Sequence, residues 1–337
     1  MADAQRWGFT LPLEGLSLAD HRPVIEEAER SGYTDAWTLE VDGADCFTPL
    51  ALAAAWTRRM RLGTAIANVY TRTPSMLAMS AAALADASSG RFVLGIGSSS
   101  PVIVQEWGGI PFEEPLAQTR DTALALRDLL AGKRVTVDTD RIHVHGLRLS
   151  RPPSTSVPLH LAALRSGMLR LAGRLGDGVI INWLSPADVA RVVPIAREAA
   201  SSAGRDPEAL EVICRIFVCV SDDLEAARTR ARREIAAYLT TPVYEAFHAW
   251  LGRGEALRPM TAAWRAGDRR GAVASIPDAV VDDLLVIGSP DQCRARIQEY
   301  VSNGVTTPVL HFMPAGGTPE TLGRQSADAL RALAPRA

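Results

Sequence analysis

The chain has 337 residues, a little over twice a typical domain of roughly 150, so it fits two ordinary domains or one large α/β barrel. Its 36 basic and 38 acidic residues leave a formal net charge of -2, spread without a basic block, which argues against nucleic acid as the main partner because phosphate neutralisation needs a concentrated basic surface. Apolar residues make up 47% of the chain, too many for a disordered protein, yet no run approaches the ~18 apolar residues that a membrane span requires.

The opening MADAQRWGFT carries Asp3 and lacks the apolar core of a secretory signal. Cys46, Cys214, Cys219 and Cys293 include no C-x-x-C pair, so neither a zinc knuckle nor a redox dithiol is expected. These features predict a reduced, cytoplasmic protein. Cys214 and Cys219 fall in one strand-like run on opposite faces, and the expected role of both is that of small buried apolar residues.

In chain order, strand-like runs appear at residues 6–11, 35–39, 61–68, 91–97, 158–163, 178–182, 211–220 and 307–313. Most are short, continuous and apolar, as strands covered on both faces of a parallel sheet are. Helical stretches lie between them, such as 18–31, where Leu18, Val24, Ile25 and Ala28 share a face, and 290–303, opened by Pro290. Gly32, Gly90, Gly176 and Gly304 each end a helix shortly before a strand, where a left-handed terminus suits glycine.

Two segments interrupt this alternation. Residues 134–146, RVTVDTDRIHVHG, alternate around Thr139-Asp140 and predict a β-hairpin before strand five. Residues 240–283 are rich in Ala, Arg and Trp and predict a helical insertion after strand seven. Eight strands alternating with helices favour a single (β/α)8 TIM barrel over residues 1–337, ahead of a doubly wound sheet with a separate domain.

Reacting groups of such a barrel sit at the carboxyl ends of the strands and in the loops that follow. Those loops carry Glu40-Val41-Asp42-Gly43, NVYTRTP (68–74), GSSSP (97–101), Leu164-Arg165-Ser166-Gly167 and Asn182-Trp183. GIGSSSP has Gly-x-Gly after a strand, but Ser100 stands at the third glycine and Pro101 follows, so the dinucleotide fingerprint is incomplete. Its serines and backbone N–H groups suit an anion, or they cap a helix; both readings stay open. Arg165-Ser166-Gly167 makes the same offer with a guanidinium added.

The histidines promise less. His143 and His145 share one strand face of the expected hairpin, but no third ligand is apparent, so no metal site is expected. His160 and His311 fall in strands five and eight, at the barrel mouth or in its hydrogen-bonded interior. The chain has no H-E-x-x-H, G-x-S-x-G or Walker loop, which removes the usual support for metal-dependent hydrolysis, serine esterase activity and P-loop phosphoryl transfer.

Four segments, DCFTPLALAAAWTRRMRLGTAI (45–66), NVYTRTP, ALADASSGRFVLGIGSSSP (83–101) and LAGRLGDGVIINW (171–183), resemble the bacterial luciferase-like barrel enzymes and, within them, the coenzyme F420-dependent oxidoreductases. The resemblance spans nearly the whole chain. Its middle part is similar to the methylenetetrahydromethanopterin reductase branch, where an N-x-Y-T-R-x-P run follows a non-prolyl cis peptide in strand three. By position that bond is Ala65–Ile66, a bulge behind the deazaflavin ring. The resemblance further implies that Glu40 and Asn68 lie near the ring. Ser98 and Ser99, with Ile103 beyond them, meet the tail or phosphate, and Leu164, Arg165, Gly167 and Met168 line the tail at a helix start. It also implies a homodimer.

Two departures narrow the expected chemistry. Family members that oxidise alcohols or sugar phosphates carry His where this chain has Val41, and Glu where it has Ser100. The dyad for hydroxyl oxidation is missing, which favours hydride delivery from the reduced cofactor to an activated C=C, C=N or similar acceptor lined by Val41, Ser100, Asn182 and Trp183. Glu40 either donates the matching proton, if burial raises its pKa, or holds the cofactor or a loop. Trp37, Trp107, Trp183, Trp250 and Trp264 are expected to divide between an apolar substrate wall and the core. Two rivals remain: an FMN-dependent monooxygenase, and a non-catalytic cofactor-binding protein on a decayed barrel, which fits the lost His and Glu but not the intact turns.

Overall fold

The computed structural model describes residues 5–335, so Asp3 and the rest of the 1–4 segment lie outside the described residues. Twelve strands occur among them: β1 (Gly8–Leu11), β2 (Asp35–Thr38), β3 (Arg61–Thr64), β4 (Ala67–Asn68), β5 (Phe92–Gly97), β6 (Val135–Asp138), β7 (His143–Leu147), β8 (Leu159–Ala162), β9 (Gly178–Asn182), β10 (Glu211–Val220), β11 (Val286–Gly288) and β12 (Thr307–Phe312). Eight of them, β1-β2-β3-β5-β8-β9-β10-β12, pair in parallel in that order. The ring closes where β1 meets β12, with Gly8 opposite Val309. This is the expected (β/α)8 barrel. β4 resumes strand three after a break and pairs with β5.

Burial explains why these runs are strands. Both faces of β1, β2 and β5 are covered, one by the barrel interior and one by the helices, so continuous apolar sequence is stable there. Alternation then sorts side chains between the faces. A girdle of Trp37, Val93, Ile180, Ile213 and Val309 fills the middle of the interior. Beneath it, Arg61 pairs with Asp35 at 2.5 Å and with Glu211 at 2.7 Å, and His160 Nε2 lies 3.1 Å from Glu211. His160 is therefore an interior residue of the barrel floor, stacked on Trp37.

β6 and β7 pair antiparallel, and the segment after β10 holds the helices Pro242–Leu251, Gly254–Arg265, Arg269–Ala274 and Asp278–Leu284. The hairpin register sets Asp138 opposite His143, so Asp138, His143 and His145 bring one ligand atom each within 4.8 Å of one another. That third ligand is invisible in the linear spacing; all three residues are exposed.

Some details differ from expectation. β11 was not foreseen; it adds three residues beside the far end of β10, Val218 opposite Val286. The first helix runs His21–Arg30 and leaves Leu18 outside it, while Val24, Ile25 and Ala28 are buried. Gly32, Gly90 and Gly304 do have positive φ, but Gly176 is extended, with φ -81° and ψ 151°. Its need for glycine is steric: a Cβ there would lie 2.7 Å from the Gly178 carbonyl oxygen. The four cysteines are free and buried. No described helix is long and apolar enough to cross a membrane.

Candidate active site

At the carboxyl-terminal mouth, strand three breaks between Thr64 and Ala67, and the Ala65–Ile66 peptide is cis. Its neighbours are shaped to admit the bulge. A Cβ on Gly95 would fall 1.9 Å from the Thr64 carbonyl oxygen, and one on Gly97 would fall 3.1 Å from Ile66 Cγ1. Thr64 Oγ1 donates to the Gly95 carbonyl at 2.7 Å and accepts from its N–H at 2.9 Å. The Gly-Ile-Gly run thus serves this backbone contact. Ala65 and Ile66 are half-buried against the interior girdle.

The loop after β4 meets the loop after β2. Asn68 is buried; its Oδ1 accepts from Tyr70 N–H at 2.9 Å, while its amide Nδ2 has no partner. A weak hydrogen bond of 3.4 Å joins Asn68 N–H to Glu40 Oε2. Arg72 closes on the same carboxylate, with Nε 3.1 Å from each oxygen and Nη2 2.5 Å from Oε1. The hydrogen bond to Glu40 is the main cause of a rise in the Arg72 pKa, and the guanidinium also lies 5.1 Å from the Phe47 ring centre. Arg72 stands within NVYTRTP but had not been singled out. Its available signal was a cation four residues past Asn68, just before a helix opened by Pro74.

After β5, Ser99 is left-handed at φ 60° and a π-helix, Val102–Trp107, begins. Ser98, Ser99, Ser100 and Ile103 are half-buried. Ser100 Oγ lies 3.5 Å from the Ile103 nitrogen, a long contact at the start of this short helix, which has no side-chain cap; the Ser98 and Ser99 hydroxyls have no partner among the described residues. After β8, the helix Ser166–Leu175 starts with an extended Arg165, no side-chain cap and no acid in its first turn. Arg165 and Gly167 are exposed, Leu164 and Met168 half-buried. Free N–H groups and a positive helix end there suit an anion.

On the other side of the mouth, Asn182 Nδ2 donates to the Tyr244 hydroxyl at 3.0 Å, which ties β9 to the first insertion helix. Val41 is half-buried. Trp183 is 1% exposed, with φ 55°, and packs 4.0 Å from Phe217 and 5.1 Å from Tyr238 between ring centres; its buried indole Nε1 has no partner. Trp37 is core as well. Trp107 and Trp250 are exposed, and Trp264 carries Arg269 3.9 Å from its ring centre.

The luciferase-like monooxygenase family profile matches residues 5–307. The 5,10-methylenetetrahydromethanopterin reductase of Methanolobus tindarius is 32% identical over 283 residues, 83% of this chain and 86% of that protein. The enzyme of the same name from Archaeoglobus fulgidus is 30% identical over 287 residues, 84% of this chain and 86% of that protein. In structure, the coenzyme F420 dependent tetrahydromethanopterin reductase from Methanopyrus kandleri superposes with a TM-score of 0.79 at 24% identity, covering 96% of this chain and 97% of that one, which is a likeness of fold. Profile, relatives and barrel agree, and the chain belongs to the luciferase-like monooxygenase family.

Proposed function

We propose that the protein is a coenzyme F420-dependent oxidoreductase that moves a hydride between the deazaflavin and a small organic substrate, in the reductive direction. The observation that carries this reading is the unpartnered, buried Asn68 Nδ2 beside the Arg72-clamped Glu40 and the Ala65–Ile66 bulge. A buried amide donor without a partner costs stability unless a ligand satisfies it. A relative named as a putative coenzyme F420-dependent oxidoreductase supports the cofactor class, and relatives named as methylenetetrahydromethanopterin reductases support the direction.

In this reading Glu40, Ala65, Ile66 and Asn68 hold the ring. Ser98, Ser99 and Ile103 on one side, with Leu164, Arg165, Gly167 and Met168 on the other, take the phosphate and acidic tail. F420 has carbon where a flavin has N5, so it supplies hydride transfer and reacts poorly with oxygen. Both oxygens of Glu40 are engaged by Arg72, so Glu40 is held in place to orient the cofactor and the loop. Val41 carries no acid–base group and Ser100 offers only a hydroxyl. Neither supplies the base that hydroxyl oxidation needs. Val41, Ser100 and Asn182 face the substrate.

Stopped-flow oxidation of reduced F420 by activated enones and imines tests the proposal. Enzyme-dependent loss of reduced cofactor without oxygen uptake is the expected result. Oxygen uptake sustained by reduced FMN, with no F420 oxidation, overturns it.

A further inference from the structure

β10 alternates Glu211, Ile213, Arg215 and Phe217 into the barrel, since Ile213 belongs to the interior girdle. Arg215 stands opposite Asn182, the last residue of β9, and is therefore at the mouth. It is 6% exposed, its Nε is buried without a partner, and no carboxylate or hydrogen-bond acceptor engages its guanidinium among the described residues. Its contacts are the faces of Phe217 at 5.0 Å and Tyr238 at 5.9 Å. Thr10 Oγ1, buried on the neighbouring part of the ring, also lacks a partner.

Two part-buried arginines of this barrel, by contrast, have carboxylate partners. Arg61 on the floor has Asp35 and Glu211, and Arg230 on the helix Leu224–Leu239 has Glu14 at 3.2 Å and Glu234. The groups that face Arg215 are His311, Tyr244 and Tyr238, none of them an acid. Taking a guanidinium out of water without a counter-charge costs stability, and aromatic faces recover only part of that cost. Arg215 also sits on the arc β9-β10-β12, which contributes none of the residues assigned to the cofactor.

We propose that Arg215 is the anion-binding residue of the substrate pocket, and that the substrate carries a carboxylate or phosphate group whose apolar remainder lies against Phe217, Tyr238 and Tyr244. A planar fork of N–H donors matches either oxyanion bidentately. The assignment rests on the F420 reading for the reacting partner, but the anion site is measurable without cofactor.

The test is calorimetric titration of the full chain, with and without F420, using benzoate, phenyl phosphate and the neutral benzamide. At least one anion binds about tenfold or more tighter than benzamide, Arg215→Met removes that preference, and Arg215→Lys keeps part of it. F420 affinity changes by less than about twofold in either variant, the difference being small against one hydrogen bond. Arg215→Met also melts higher, by roughly 2 °C or more, because an uncompensated buried charge is gone. Equal binding of the three probes by the wild type overturns the proposal, as does an Arg215→Met variant that keeps the anion preference and melts lower. Anion preference without any F420 binding leaves the Arg215 site standing and removes the F420 reading instead.

Discussion

Arg72 grips Glu40 with two nitrogens, Nε 3.1 Å from both carboxylate oxygens and Nη2 2.5 Å from one of them. Strand two and strand three are thereby joined at the mouth, where Asn68 N–H approaches the same carboxylate. Glu40→Gln is expected to weaken F420 binding by about 10- to 100-fold, the range for one charge-assisted hydrogen bond, while single-turnover hydride transfer at saturating cofactor survives. Arg72→Met should behave alike. Rapid-mixing absorbance and equilibrium titration check both; a Glu40→Gln variant with intact affinity and about 100-fold slower transfer assigns proton donation to Glu40 instead.

Gly95→Ala should be among the costliest small substitutions in the chain. Its Cβ would fall 1.9 Å from the Thr64 carbonyl oxygen, so the bulge must shift. A loss of roughly 3 kcal/mol or more in denaturant unfolding is expected, with F420 affinity falling as well. Normal stability would mean that the strand-three break tolerates other geometries.

Acid should destabilise the fold in two stages. His248 is fully buried and its pKa is pushed down to about 3, by burial first and by the Arg253 charge second. Its folded value lies below the ordinary 6.5, so its share of stability is complete above that value and is lost as pH falls from 6.5 towards 3. Burial opposes the charged form of Glu211, but the His160 ring 3.1 Å away and the Arg61 charge outweigh it and hold the pKa down to about 2. That contribution, on the order of 2–3 kcal/mol, is present above the ordinary 4.5 and is lost between there and about 2. Melting temperature against pH is the measurement: His248→Leu should flatten the curve between pH 6.5 and 4, and Glu211→Gln should flatten it below 4.5.

No enzymatic rate, near ~10 per second, is expected for oxidation of glucose 6-phosphate or a simple secondary alcohol with F420. In the proposed reading Val41 and Ser100 stand where an acid–base pair would act, and neither side chain is a base. Steady-state assays with both substrates decide this.

The barrel was legible because continuous apolar runs such as RFVLGIG and EVICRIFVCV mark strands covered on both faces, and because a proline-led helix start such as Pro290 is a local signal. β11 was not, since three residues between two helices carry no period. Within the mouth, the sequence supplied Glu40, Asn68 and the serine turn by their place after strands. Arg72 and Arg215 escaped for opposite reasons: one is a single charge in a polar loop, the other a single charge in an apolar strand, and their partners or lack of them exist only in three dimensions. Asp138 joins the two hairpin histidines through strand register, which linear spacing cannot express. Trp183 lies just past the end of β9 by its sequence position, and its packing against Phe217 and Tyr238 exists only in three dimensions.

The central claim is the cofactor. Fluorescence or absorbance titration of the purified chain with F420 and, separately, with FMN tests it most directly, with Asn68→Ala alongside. A dissociation constant for F420 about tenfold or more below that for FMN is predicted, and loss of the Asn68 donor should raise it by roughly tenfold. Equal or tighter binding of FMN, unaffected by Asn68→Ala, would contradict the account.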